Sequence, residues 1–212
     1  MWGFTYIKKL GRQEAVLLNI YKALKKEKSD IKKMCVVLIL IAVILPIAVF
    51  LSGLTTRFYL VSLLILEVLN ILAIISFING YTLKFSCLNN KLKIKSGLFG
   101  TEGLIICDKV ALVHTENMEE DMEIILISSI KVRNKGVRPV VNGFLKKYPK
   151  LEEEYETLKI NNSDTIYYFQ IIRRGGLNKY MLLDVIYKNC VRAIYTNECI
   201  QNIKIARGQT LV

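Results

Sequence analysis

Two apolar runs, Met34–Leu54 and Phe58–Phe77, dominate the pattern of the chain, with only Thr55-Thr56-Arg57 between them. Each is about 20 residues long, the length an α-helix needs to cross a bilayer core. So short a connection predicts a tight antiparallel hairpin with both ends on one side. Pro46 in the first run removes a backbone hydrogen bond and predicts a kink near Ile41–Ala42. Before the hairpin, Ala15, Leu17, Leu18, Ile20, Tyr21 and Leu24 interleave with Lys22, Lys25, Lys26 and Lys28. That spacing predicts a basic amphipathic helix.

After the hairpin the period falls from 3.6 to 2. Tyr81–Leu88 reads as a strand, Asn89-Asn90 as a turn, and Lys91–Lys95 as a strand with strict alternation. Gly97 and Gly100 mark the next turn. Gly103–Cys107, Val110–Thr115 and Met122–Ser128 read as further short strands. A helix from Pro139 to about Leu158, interrupted at Pro149, and a strand over Asp164–Ile172 follow. Arg173-Arg174-Gly175-Gly176 is a basic turn. Tyr180–Ile205 carries the apolar stripe of one long closing helix, with Gly208 as its stop.

These elements divide the chain into a basic helix over 1–33, a transmembrane hairpin over 34–80 and a polar domain over 81–212. The fold class is α+β: a two-helix membrane hairpin, then a mainly antiparallel β domain with a long C-terminal helix. Composition agrees. The 212 residues are 52% hydrophobic, with mean hydropathy +0.34, above the ordinary soluble range.

Charge sets the orientation. The net charge is +12, and Lys8, Lys9, Arg12, Lys22, Lys25, Lys26, Lys28, Lys32 and Lys33 crowd before the first run. The hairpin loop has only Arg57. Basic residues beside a span stay in the cytoplasm, so both termini are expected there, at an inner-type cell membrane. The long basic leader and the immediate second span argue against a cleaved signal peptide, and no prenylation motif closes the chain.

Candidate chemistry is sparse. Glu67 and Asn70 lie three apart in the middle of the second run, hence on one face. An ionisable group there is costly and is a functional candidate. It serves helix association, as a protonated carboxyl bonded to the other helix or to a second copy, or transport. Lys131, Arg133 and Lys135 alternate, with Arg138 following; these four are candidate contacts to an anionic ligand, or edge protection for a strand. Lys22, Lys25, Lys26 and Lys28 are candidate contacts to anionic headgroups, worth about 1 kcal/mol each, or solvated cations.

The acidic cluster Glu116, Glu119, Glu120 and Asp121 lacks the spacing of a calcium loop and reads as a solvated hairpin tip. Cys35, Cys87, Cys107, Cys190 and Cys199 form no CxxC pair and read as free buried thiols. His114 is the single histidine, so multi-histidine metal sites are excluded. No phosphate loop, dinucleotide fingerprint or HExxH occurs. Asp108 and Asp184 read as isolated carboxylates. The expectation is a chain with no catalytic, cofactor or metal site and no nucleic-acid surface.

Tyr81-Thr82-Leu83, Lys91–Phe99 and Ile105–Val113, behind a basic leader and a two-span hairpin, resemble bacterial membrane proteins with a pleckstrin-homology-like domain. The resemblance implies a small twisted sandwich of near-orthogonal sheets closed by a helix. About 30 residues between the early strands and Asp164–Ile172 are inserted relative to that pattern. Fold alone does not imply function. The expected function is a non-enzymatic, membrane-anchored binding or scaffold module that engages a protein partner or forms homo-oligomers. The alternative is a sensor of anionic membrane lipid, acting through the basic N-terminal helix and the Lys131–Arg138 strip. Tyr167, Tyr168 and Phe169 bear on this, because an exposed aromatic face favours protein binding and a covered one is packing.

Overall fold

A computed structural model describes residues 2–53, 56–117, 121–132, 136–161 and 164–209, with side chains from residue 20 onward except Asn161. Leu54 at the end of the first apolar run, Thr55 of the expected loop, Glu119 and Glu120, and Arg133 and Lys135 lie outside the described residues.

The basic leader and the first apolar run are one helix, α1 (Trp2–Leu51), with Pro46 inside it. The expected boundary at residue 33 is therefore a change of solvent preference and not a break in the helix. The second run is α2 (Arg57–Tyr81). Both contain stretches long and apolar enough to cross a membrane, Ile20–Leu51 and Arg57–Tyr81. Their outward faces are bare: Phe58 is 77% exposed and Leu64 66%. Water does not accommodate so large an apolar surface.

The helices pack through a narrow seam. Cys35, Leu38, Ala42, Leu45 and Val49 of α1 are half-buried, as are Leu63, Glu67, Asn70 and Ile74 of α2. Spacings of three and four are those of a coiled-coil seam.

A meander follows α2 directly: β1 (Leu83–Leu88), β2 (Lys91–Ser96) and β3 (Gly103–Ile106). They form an antiparallel sheet in the order β1-β2-β3. Asn89 and Asn90 both have positive φ and make the tight turn expected of them. One turn of 3-10 helix at Cys107–Lys109 leads into β4 (Val110–Asn117), and β5 (Met122–Ser128) returns beside it. β6 (Arg138–Pro139) and β7 (Tyr168–Ile172) flank β5 on its other side. The second sheet has the order β6-β7-β5-β4-β8, with β8 (Ile194–Tyr195) parallel to β4.

The continuous apolar run of β5 now has its reason, because both of its faces are buried. Met122, Ile124 and Leu126 join one core with the first sheet, α5 (Asn178–Asn189) and α6 (Asn197–Ala206). Ile125 and Ile127 join another with α3 (Asn142–Leu145) and α4 (Pro149–Asn161). The inserted residues therefore form a covering layer. Pro149 begins a helix, as proline at a first turn readily does, and Pro139 pairs in an edge strand.

The single long closing helix is corrected to two. α5 ends at Asn189, where the Tyr195 hydroxyl donates to the Cys190 carbonyl at 2.9 Å. Ile194 and Tyr195 pair with Leu112 and Val113. Thr196 then caps α6 by accepting from the Cys199 amide. The β-branched and aromatic run at 194–196 suits a strand better than a helix. The apolar stripe is buried on both sides of the break at Leu182, Leu183, Ile186 and Ile203, while Ile194 and Ile200 are exposed.

Candidate functional site

The polar domain is bonded to the end of the hairpin. Glu27 Oε1 of α1 accepts from the Leu177 amide at 3.0 Å, just before α5. Gly175 N donates to the Gly80 carbonyl at 2.8 Å, and Gly97 N to the Thr82 carbonyl at 2.7 Å. The Leu98 amide donates to Asn79 Oδ1 at 2.8 Å. A groove of about 570 Å³ lies beside this joint, lined by Lys26, Asp30, Ile31, Met34, Phe77 and Tyr81 among others.

Beyond the joint, a chain of charges crosses the domain. Lys179 Nζ meets Asp121 Oδ2 at 2.6 Å and donates to the Arg173 carbonyl at 2.6 Å. Asp121 is thus paired, which corrects the reading of its cluster as a solvated tip. Arg173 Nε donates to Glu123 Oε1 and the Tyr148 hydroxyl to Glu123 Oε2, both at 2.8 Å.

Arg173 and Tyr148, the two partners of Glu123, line a cleft of about 370 Å³ together with Arg138, Phe144, Lys147 and Phe169, with Gly136 and Ile171. Period two along β7 aims Phe169, Ile171 and then Arg173 to one side. The register Arg138↔Phe169 sets Arg138 beside them. Phe144 stacks on Phe169 with ring centroids 3.7 Å apart and 9° between planes. Lys147 Nζ lies 5.3 Å from the centre of the Tyr148 ring. Three cations against one carboxylate, over an aromatic wall, suit a carboxylate or phosphate carried on an apolar stem.

Burial alone would raise the Glu123 pKa, but the bonds from Tyr148 and Arg173 outweigh it, so the group sits below its ordinary value. Between the folded value and the ordinary one, the folded chain binds fewer protons than the unfolded chain. The stabilisation is complete above the ordinary carboxylate range and is lost as pH falls through the folded value. Glu123→Gln is therefore expected to flatten the acid limb of stability, read by thermal unfolding across acid pH. An unaltered limb would remove Glu123 from that role. Asp184, also held low because Lys188 and Arg207 outweigh its burial, keeps part of the limb; it is not the isolated carboxylate expected.

Of the sequence candidates among the described residues, Arg138 lines the cleft. Lys131 is exposed and lies outside any strand. Lys22, Lys25, Lys26 and Lys28 are exposed on α1. Glu67 and Asn70 both face the seam. Asn70 Nδ2 donates to the Leu38 carbonyl at 3.1 Å, while Glu67 Oε1 and Asn70 Oδ1 are enclosed without a donor. Within the chain, then, Asn70 ties α2 to α1. Tyr167 is buried, whereas Phe169 is half-buried and stacks on Phe144 at the wall of the cleft.

His114 is wholly buried. Its Nε2 lies 3.0 Å from Glu116 Oε2, which makes Nε2 the donor and leaves Nδ1 to accept from the Thr196 hydroxyl at 2.9 Å. Thr196 is closed to solvent and already caps α6, so this row of groups braces β4 against α6. Cys87 Sγ and Cys107 Sγ lie 3.9 Å apart, both as free thiols. Burial pushes Cys87 up to about 11, which suppresses the reactive thiolate. Among the described residues, no group of three or more metal-ligating side chains occurs.

Phe144, Lys147 and Tyr148 carried no expectation from the sequence, and Phe169 and Arg173 were expected only in an aromatic strand and a basic turn. The signal was present in two places: alternation at 169, 171 and 173, and the spacing of Phe144, Lys147 and Tyr148 over one turn. No protein-family model matches this chain, and neither the curated proteins nor the solved structures yield a match.

Proposed function

We propose that the protein is a membrane-anchored, non-catalytic binding module that holds an acidic segment of a partner protein in the Arg138–Lys147–Arg173 cleft. The hairpin crosses an inner-type membrane and both termini are cytoplasmic. The cleft is the observation that carries this reading, because it presents three cations and a stacked aromatic pair at one opening. The uncovered apolar faces of α1 and α2 support the anchor, and the lysines of α1 support the orientation. The domain is read as pleckstrin-homology-like in its opening meander and closing helices. The parallel β8 and the α3–α4 layer are this chain's own additions.

The test is purification of the full-length protein from its native membrane in mild detergent, beside an Arg138→Glu, Lys147→Glu variant. Both positions are exposed, so the variant keeps its fold. A stoichiometric protein held by the parent and lost by the variant is the expected result. Equal retention by both overturns the cleft as the binding site. Retained anionic lipid with no protein favours the second reading, a lipid sensor. That reading draws on the exposed lysines of α1 and the groove between Lys26, Met34 and Phe77.

A further inference from the structure

We propose that the β2–β3 loop, tipped by Leu98 and Phe99, inserts into the headgroup–acyl boundary of the same bilayer that holds the hairpin. This inference rests on the membrane anchoring proposed above. Phe99 is 77% exposed and Leu98 beside it 39%, an apolar tip turned outward at the phenylalanine. Their height is fixed by the hairpin. The Leu98 amide bonds to Asn79 Oδ1 at 2.8 Å, and Asn79 stands two residues past the end of the apolar run at Phe77. At 1.5 Å per residue that is about 3 Å beyond the hydrocarbon edge, within the interfacial layer.

The loop is shaped for this contact. Gly97 has φ +84, and a Cβ there would lie 2.5 Å from Asn79 Oδ1 and 2.9 Å from Arg174 Nη1. Only glycine lets the chain turn that tightly against the end of α2. The Arg174 side chain stands beside Gly97 at the base of the tip, and Lys95 precedes it. An apolar point flanked by cations is the pattern that binds an anionic membrane surface.

The experiment uses the full chain in phosphatidylcholine–phosphatidylglycerol vesicles whose acyl chains are brominated near the headgroup. Trp2 is replaced by phenylalanine, and single reporters are introduced as Phe99→Trp, Leu64→Trp and Leu88→Trp. Leu64 is a bare position within α2, and Leu88 is 72% exposed at the opposite end of the β1–β2 hairpin. The Phe99→Trp indole is expected to lose about half of its emission or more to bromolipid, with a blue-shifted spectrum, as for a residue at the interface. Leu88→Trp is expected to be unaffected. Quenching at Leu64→Trp without quenching at Phe99→Trp overturns the insertion and leaves the anchor standing. No quenching at Leu64→Trp removes the anchor and the insertion with it. Equal quenching at Leu88→Trp and Phe99→Trp overturns the special role of the tip. If Phe99→Trp does not fold, Leu98→Trp carries the same three outcomes.

Discussion

Lys179→Ala is expected to destabilise the folded domain by about 3 kcal/mol, the usual cost of breaking a buried ion pair from one side. The Lys179 side chain is 1% exposed, and its ammonium bridges Asp121 and the Arg173 carbonyl. Burial pulls its pKa down while Asp121 holds the charge in place. Removal strands the Arg173 carbonyl and opens a cavity beside α5. Asp121 is 48% exposed and regains water, which keeps the loss below the upper end for such pairs. Lys179→Met fills the space but leaves the carbonyl unmet, so a smaller loss of about 1–2 kcal/mol is expected. Thermal unfolding of the three proteins in one detergent compares them. Equal stability of all three would mean that water already replaces the bridge.

Gly175→Ala is expected to cost about 2–4 kcal/mol, combining backbone strain with overpacking, and to loosen the joint between domain and hairpin. Gly175 has φ +131, and a Cβ there would stand 2.7 Å from Leu83 Cβ, an atom tied closely to its own backbone. Its amide also makes the 2.8 Å bond to Gly80. Limited trypsin digestion reads the joint directly, because Arg173 and Arg174 are exposed beside it. Faster cleavage at these two arginines is the expected result. An unchanged cleavage rate with an unchanged melting temperature would show that the remaining bonds at Glu27 and Asn79 suffice.

The legible parts of this fold were those set by neighbours along the chain. Strict alternation at Lys91–Lys95, the Asn89-Asn90 turn and the apolar stripe of the last helices all follow from local period and steric rules. The break at Cys190–Thr196 was not legible, because it is paid in contacts with β4, some 80 residues earlier. Asp121 and Lys179, or Glu27 and Leu177, pair across still other distances that periodicity does not carry. The cleft shows both cases. Arg138 stood out as one of a row of cations, whereas Phe144 and Phe169 became a stacked pair only when β7 met the α3–α4 layer. His114, legible only as the single histidine, became a brace through its burial between β4 and α6.

The unbroken α1 has a mechanical meaning. In a bilayer, helix tilt follows hydrocarbon thickness, and a change of about 10° lies within the range membrane helices adopt. Glu27 sits about 22 Å along the helix axis from Ala42, near the middle of the apolar run. Such a rotation swings Glu27 sideways by about 4 Å. Because Glu27, Asn79 and Gly80 hold the β domain by direct bonds, the domain travels with the lever. For the anchor proposed above, hydrocarbon thickness thereby becomes a coordinate of the cleft's position, transmitted without any change in its own shape.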